Sequence, residues 1–214
     1  MRFFVVRHGE TVWNAEGRFQ GQKDTELNAN GIRQAELLAG RLSGHKFEAI
    51  VTSPLARAAV TARKISDSSG CRNFIIEERL TEINHGDWEG RLADEIAEKW
   101  PEMLRTWHTK PETVKMPGDG GESLEDVRRR AVDAACAIAK QHAGDVLLVS
   151  HDAVIKVLLC SWLDAPLSSF WRFQIPNCSI TVVEAVSGKE PRMLLMGDAS
   201  HIGSPFDRPE QKGL

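Results

Sequence analysis

Apolar residues along this chain fall into two kinds of run that alternate. Short unbroken stretches near 2–7, 48–52, 73–77, 145–150, 179–186 and 192–196 have the length and the Val, Ile, Leu and Phe content of buried strands. Between most of them, segments near 28–43, 54–68, 123–142 and 152–163 space their apolar positions for one covered helical face. This alternation predicts an α/β fold on a largely parallel sheet. Residues 83–120 break the pattern with Trp88, Trp100 and Trp107, short helical segments and an exit rich in Pro and Gly. They are expected to form an insertion that roofs the strand ends. No Gly/Ser/Pro linker divides residues 1–214, so one domain is expected, with 198–214 as a polar, turn-rich C-terminal tail.

The strand ends carry the chemistry. The first apolar run stops at Arg7-His8-Gly9, the run Ala49–Ser53 is followed by Arg57, and Asp145–Ser150 ends in His151. Three strands that each deliver a basic residue to the carboxyl edge of an open sheet mark an anion site. Ser53-Pro54 reads as a helix N-cap followed by proline in the first helical position, and Ser123 with Asp126 reads as a variant capping box. Helix N-termini add unpaired N–H groups and a partial positive charge. Together with Arg7, His8, Arg57 and His151 they make a pocket suited to a doubly charged oxyanion.

Composition narrows the partners. A net charge of −3 argues against nucleic acid and anionic membranes. The one basic run, Arg128-Arg129-Arg130, would spread around a helix as a solvated face. The longest apolar stretch, Val154 to Leu163, contains Lys156 and is too short to span a bilayer. Predicted structure begins at Phe3, which leaves no room for a signal peptide, so a cytoplasmic location is expected. The four cysteines lack paired spacing and the seven histidines form no helical metal pair. Reduced thiols and no metal or other cofactor are therefore expected, with Cys136 and Cys160 as small core residues and Trp162 and Trp171 filling apolar space.

A longer series of motifs runs through the chain: Arg7-His8-Gly9-Glu10-Thr11 with Trp13-Asn14, Gln20-Gly21 with Asp24 and Leu27, Gly31 with Gln34-Ala35, and Ser53-Pro54-Leu55 with Arg57 and Thr61-Ala62. It continues through Leu80, Glu82, Gly86, Trp88-Glu89-Gly90, Gly121-Glu122-Ser123 and Val149-Ser150-His151, in order over residues 1 to about 185. In these motifs the chain resembles the histidine phosphatase superfamily, which includes the cofactor-dependent phosphoglycerate mutases. The resemblance implies a phosphoglycerate mutase-like three-layer sandwich. It also implies His8 as the nucleophile that becomes a phosphohistidine, with Arg7, Arg57 and His151 holding the equatorial oxygens through an in-line transfer. The neighbouring arginines should keep His8 neutral, its reactive form. Glu82 matches the family's general acid, which needs a raised pKa to hold its proton at neutral pH. Asn14, Gln20 and Gly21 fall on substrate-binding positions.

Where many relatives carry glycine after the second histidine, this chain has Asp152. An outward-facing carboxylate is expected there, because an inward one would oppose the phosphate. A mutase reading calls for a longer insertion with extra basic and Tyr contacts. This chain has no Tyr, and its short insertion offers only Arg91, Lys99, Arg105 and Lys110. A metal-independent phosphomonoesterase acting on a small phosphorylated metabolite is thus favoured, with phosphoglycerate mutase or another small-molecule phosphatase, such as α-ribazole phosphatase, as alternatives. A catalytically dead phospho-ligand binding module is disfavoured because the five core residues are all present. Glu82-Ile83-Asn84-His85-Gly86, Gly120–Leu124, Ser169-Phe170-Trp171 and His201 look like the metal-independent phosphoserine phosphatases. That likeness implies substrate contacts from His85 and His201, and leaves room for a homodimer.

Overall fold

The computed structural model describes residues 1–185 and 189–203. Among these residues six strands form one sheet in the order β3-β2-β4-β1-β5-β6: β1 (Arg2–Arg7), β2 (Ala49–Thr52), β3 (Phe74–Ile76), β4 (Val146–Ser150), β5 (Ile180–Glu184) and β6 (Arg192–Asp198). The first four are mutually parallel, and β5 and β6 run antiparallel at one edge. Among the described residues the seven α-helices are α1 (Val12–Glu16), α2 (Ala29–Leu42), α3 (Ala56–Ser69), α4 (Ala93–Lys99), α5 (Pro101–Thr109), α6 (Leu124–Gln141) and α7 (Asp152–Trp162).

Alternation along β1 explains the layers. Successive side chains of a strand point to opposite faces, so Phe4 and Val6 pack with α2 and α3 while Phe3 and Val5 pack with α6, α7 and the insertion. The central strands are covered on both sides, and β4 is buried at every position. The expected three-layer α/β sandwich is therefore the observed fold.

Helix starts follow local chemistry in two cases and depart from it in a third. Asn28 caps α2, and Ser123 with Asp126 forms the reciprocal capping box of α6. At α3 the expectation fails, because the helix starts at Ala56 with Leu55 as its N-cap and no side-chain cap bond. Ser53 Oγ instead accepts from the Leu55 N–H at 3.3 Å and meets His151 Nε2 at 2.7 Å. A tertiary partner has taken the hydroxyl that a local cap would have used.

Residues 83–120 hold α4, α5 and two short 3-10 turns, and seat Trp88 and Trp107 with no exposure. Trp107 packs against Phe170 and Trp171 after α7, and Trp171 Nε1 donates to its carbonyl at 2.6 Å. Trp162 and Trp171 are half-buried against the core, and Trp162 stacks on Phe3. Cys160 is buried as expected, but Cys136 is exposed, because it falls on the outer face of α6 beside the inward-facing Ala134, Ala135 and Ile138. The part of the expected tail beyond residue 203 lies outside the described residues.

Candidate active site

Three adjacent parallel strands end at one level. Arg7 on β1 is in register with Ser150 on β4, the His8 N–H donates to the Ser150 carbonyl at 3.0 Å, and the Ser53 N–H donates to the Val149 carbonyl at 3.0 Å. Strand register alone therefore sets His8, His151 and Ser53 side by side, with the His8 and His151 rings 5.1 Å apart between centroids. The turn that carries His8 needs close approach of backbone to backbone. A Cβ on Gly31 would lie 2.0 Å from the Glu10 carbonyl oxygen, and one on Gly9 would lie 2.6 Å from that of Gly31.

Arg7, His8, Arg57, Glu82 and His151 are each 3% exposed or less, so their charges act with little solvent screening. His8 Nδ1 lies 2.7 Å from the Gly9 carbonyl. A carbonyl oxygen only accepts, so Nδ1 carries the proton and Nε2 is left with its lone pair. Burial foremost, then the Arg57 and Arg7 charges, holds the His8 pKa well below the usual imidazole range. Burial, followed by the Arg57 charge, does the same to His151, whose Nδ1 is buried without a hydrogen-bond partner. Arg57, in the first turn of α3, donates to the Gly21 carbonyl at 2.7 Å and the Lys23 carbonyl at 2.8 Å; burial lowers its pKa to about 10. That still leaves it a cation at neutral pH.

Glu82 follows a 3-10 turn at residues 78–80, and one carboxylate oxygen accepts from the Ile83 N–H at 2.9 Å. Burial first, then the negative charge of Asp152, raises its pKa above the ordinary carboxylate value. The loop is clamped from behind by Arg130, which donates to the carbonyls of Arg79 at 2.8 Å and of Glu82 at 3.0 Å and pairs with Glu122 at 2.8 Å. Arg128 and Arg129 do pair with acids on the solvated face of α6, but Arg130 turns inward, which corrects the expectation of a wholly solvated run.

Asp152 also departs from expectation. It is 1% exposed and points inward, with Oδ1 3.3 Å from Arg7 Nη1 and Oδ2 2.7 Å from Lys156 Nζ. Two cations offset its charge, so an inward carboxylate is tolerated next to the anion pocket.

The remaining expected residues divide into a polar loop and an aromatic wall. Asn14 accepts from the Thr11 N–H at 3.1 Å, and its Nδ2 is a buried donor without a partner. Gln20 Oε1 accepts from the hydroxyls of Thr11 and Thr25, which fixes the loop whose next residue, Gly21, offers its carbonyl to Arg57. His85 has no exposure and sits edge-on to Phe19 and Trp107, with both ring nitrogens lacking hydrogen-bond partners. Burial lowers its pKa to about 3. His201 Nε2 meets the Cys178 carbonyl at 3.1 Å, and the Cys178 N–H donates to the Arg7 carbonyl at 2.9 Å, so Cys178 links His201 to the end of β1. Sequence reasoning missed Asn177, whose Nδ2 donates to the His8 carbonyl at 2.9 Å, and no local pattern marks it. Among the described residues, no group of three or more His, Cys, Asp or Glu could hold a metal ion.

The three buried neutral histidines carry a stability prediction. His8, His85 and His151 stay uncharged in the fold, whereas in the unfolded chain each takes a proton below about pH 6.5. The unfolded state then binds more protons, so stability falls as pH falls from 6.5 towards the depressed folded values. Three such groups give a slope of up to about 4 kcal/mol per pH unit. Denaturant unfolding between pH 7.5 and 5 measures it; a flat profile there would show that these imidazoles are not held neutral.

A family model described as the histidine phosphatase superfamily (branch 1) matches residues 3–199. Phosphoserine phosphatase 1 of Hydrogenobacter thermophilus is 36% identical over 204 residues, covering 95% of each chain. The probable phosphoglycerate mutase GpmB of Enterobacter sp. (strain 638) is 34% identical over 212 residues, covering 96% of each. A solved structure of a phosphoserine phosphatase mutant from Entamoeba histolytica, in complex with phosphoserine, superposes with a TM-score of 0.81 at 30% identity and covers 94% of this chain and 98% of that one.

Proposed function

This chain belongs to the histidine phosphatase superfamily, and from that premise we propose that it is a metal-independent phosphomonoesterase for a small phosphorylated metabolite, with phosphoserine as its leading substrate. One observation carries the reading: His8 presents an unprotonated Nε2 inside a buried nest of Arg7, Arg57 and His151, beside a Glu82 carboxyl whose pKa is raised. In the proposed reaction His8 Nε2 attacks phosphorus, the bond to the leaving oxygen breaks, and Glu82 gives that oxygen its proton. Arg7, Arg57, His151 Nδ1 and Asn14 Nδ2 stabilise the oxygens of the transferring group. Glu82, now a carboxylate, takes a proton from the water that attacks the phosphohistidine, and inorganic phosphate leaves with the site restored.

The insertion supports hydrolysis over mutase transfer. Arg91 and Lys99 lie against Trp100, Arg105 pairs with Glu102 in solvent, and Lys110 is exposed. Three of these four cations are engaged within the insertion and Lys110 is exposed, which favours a phosphatase without a dedicated clamp for a second acidic group. The phosphoserine assignment draws on the named relatives; His85 has no exposure and His201 Nε2 is turned to the Cys178 carbonyl, so neither carries it. The same reading takes the protein as cytoplasmic and free to form a homodimer. No helix among the described residues is long and apolar enough to cross a membrane.

A panel of phosphorylated metabolites, assayed for released phosphate in EDTA, tests the proposal. Phosphoserine hydrolysis at an undiminished rate in chelator is the expected result, because arginines and polar donors supply the charge stabilisation that a metal gives elsewhere. Activity lost in EDTA and restored by a divalent cation would overturn metal independence. Equilibration of phosphoglycerates without phosphate release would favour the mutase.

A further inference from the structure

The buried Asp152 does something the reaction itself does not require. Asp152 opens α7 directly after His151, and its two carboxylate oxygens face different cations, Arg7 Nη1 at 3.3 Å and Lys156 Nζ at 2.7 Å. Arg7 Nη1 also donates to the Ile175 carbonyl at 2.8 Å. The two acceptors together set the plane of the guanidinium. Lys156, one helical turn on, sits 4.9 Å and 4.7 Å from the ring centroids of Phe170 and Trp171, so its ammonium is held by aromatic faces as well as by the carboxylate. The three charged side chains are 1%, 1% and 6% exposed.

A carboxylate this close to an anion-binding arginine must weaken that arginine's pull on a phosphate, and Lys156 decides by how much. If the carboxylate served Arg7 alone it would cancel most of the charge, whereas shared with Lys156 it cancels a part. We propose that the Asp152–Lys156 pair positions Arg7 and attenuates its charge, so that the product phosphate is held loosely enough to leave. Asp152 is then a positioning residue: it acts on phosphate binding through Arg7, separately from its charge effect on Glu82, and the phosphate Ki reads the first without the second. The proposal rests on the phosphoryl-site reading above.

The test is competitive inhibition by inorganic phosphate, with kcat and KM for phosphoserine measured alongside. Asp152→Asn removes the carboxylate charge, and its phosphate Ki is expected to fall by about tenfold, the size of a one-unit electrostatic shift. KM should fall with it, and kcat should fall as release slows. Lys156→Met leaves the carboxylate to Arg7 alone, so its Ki and KM should rise. Opposite signs from two neighbouring substitutions are not what general loosening of the fold would give. The double variant D152N/K156M removes one anion and one cation together, so it keeps the net charge of the cluster and serves if a single variant fails to fold; with no carboxylate beside Arg7, it too should bind phosphate more tightly than the wild type. A Ki unchanged or raised in D152N, or equal to wild type in the double variant, would overturn the proposal. D152N that hydrolyses phosphomonoesters with wild-type Ki, KM and kcat would overturn it while sparing the phosphatase reading, whereas no hydrolysis of any phosphomonoester by the wild-type enzyme would end both.

Discussion

His8→Ala should abolish turnover, with a loss on the order of 10³-fold or more, and leave the fold in place. The size of the effect follows from the covalent route: without an imidazole at the centre of the cationic nest no other side chain is placed to accept the phosphoryl group. His151, the other ring in reach, already engages Ser53 through Nε2. The fold should survive because the backbone contacts of this turn, His8 N–H to Ser150 and Asn177 to the His8 carbonyl, do not use the imidazole. Circular dichroism and unfolding curves check the second point, and steady-state hydrolysis the first. Acid-labile phosphate on His8 in quenched wild-type reactions is the complementary result. Near-wild-type hydrolysis by the variant, or phosphate on a serine, would sink the mechanism.

Glu82→Gln should separate substrates by leaving group. Glutamine keeps the shape and can still accept from the Ile83 N–H, but it has no proton to give. Phosphoserine, whose departing alkoxide is strongly basic, should lose roughly 10²–10⁴-fold, and an activated aryl phosphate far less. The raised pKa of Glu82 adds a sign to the pH profile. The acid works only while protonated, so kcat/KM for phosphoserine should fall as pH rises through its folded value, and this alkaline limb should vanish in the variant. Equal losses on both esters would move the acid elsewhere, and the other carboxylates are poor heirs. Glu10 accepts from Asn28, Glu89 accepts from the backbone of Gln22 and His85, and Asp152 is ion-paired to Lys156.

Much of this was legible in the chain because the information is local. An apolar run ending in Arg7-His8-Gly9 states both the strand and the group it delivers, and Ser123 with Asp126 states the start of α6, since a capping box closes within four residues. Parallel strands in an α/β fold end on one side, so three runs ending in basic residues had to bring those residues together. Where local signals misled, a distant partner had intervened. Ser53 reads as a cap until His151, 98 positions on, takes its hydroxyl. Arg130 reads as one of three solvated arginines until the carbonyls of residues 79 and 82 claim it.

The sequence by itself thus determined the layers, the strand ends and the identity of the residues that meet there, because burial periodicity and strand direction are properties of the chain. Tertiary structure decided which way each polar group faces and what charge it carries. The inward turn of Asp152 depends on cations from β1 and α7, the raised acid of Glu82 depends on burial beneath Arg130, and the orphaned ring of His85 depends on Phe19 and Trp107 closing over it. These are long-range electrostatic and packing outcomes, set by neighbours far away in the chain, and no local pattern of residues encodes them.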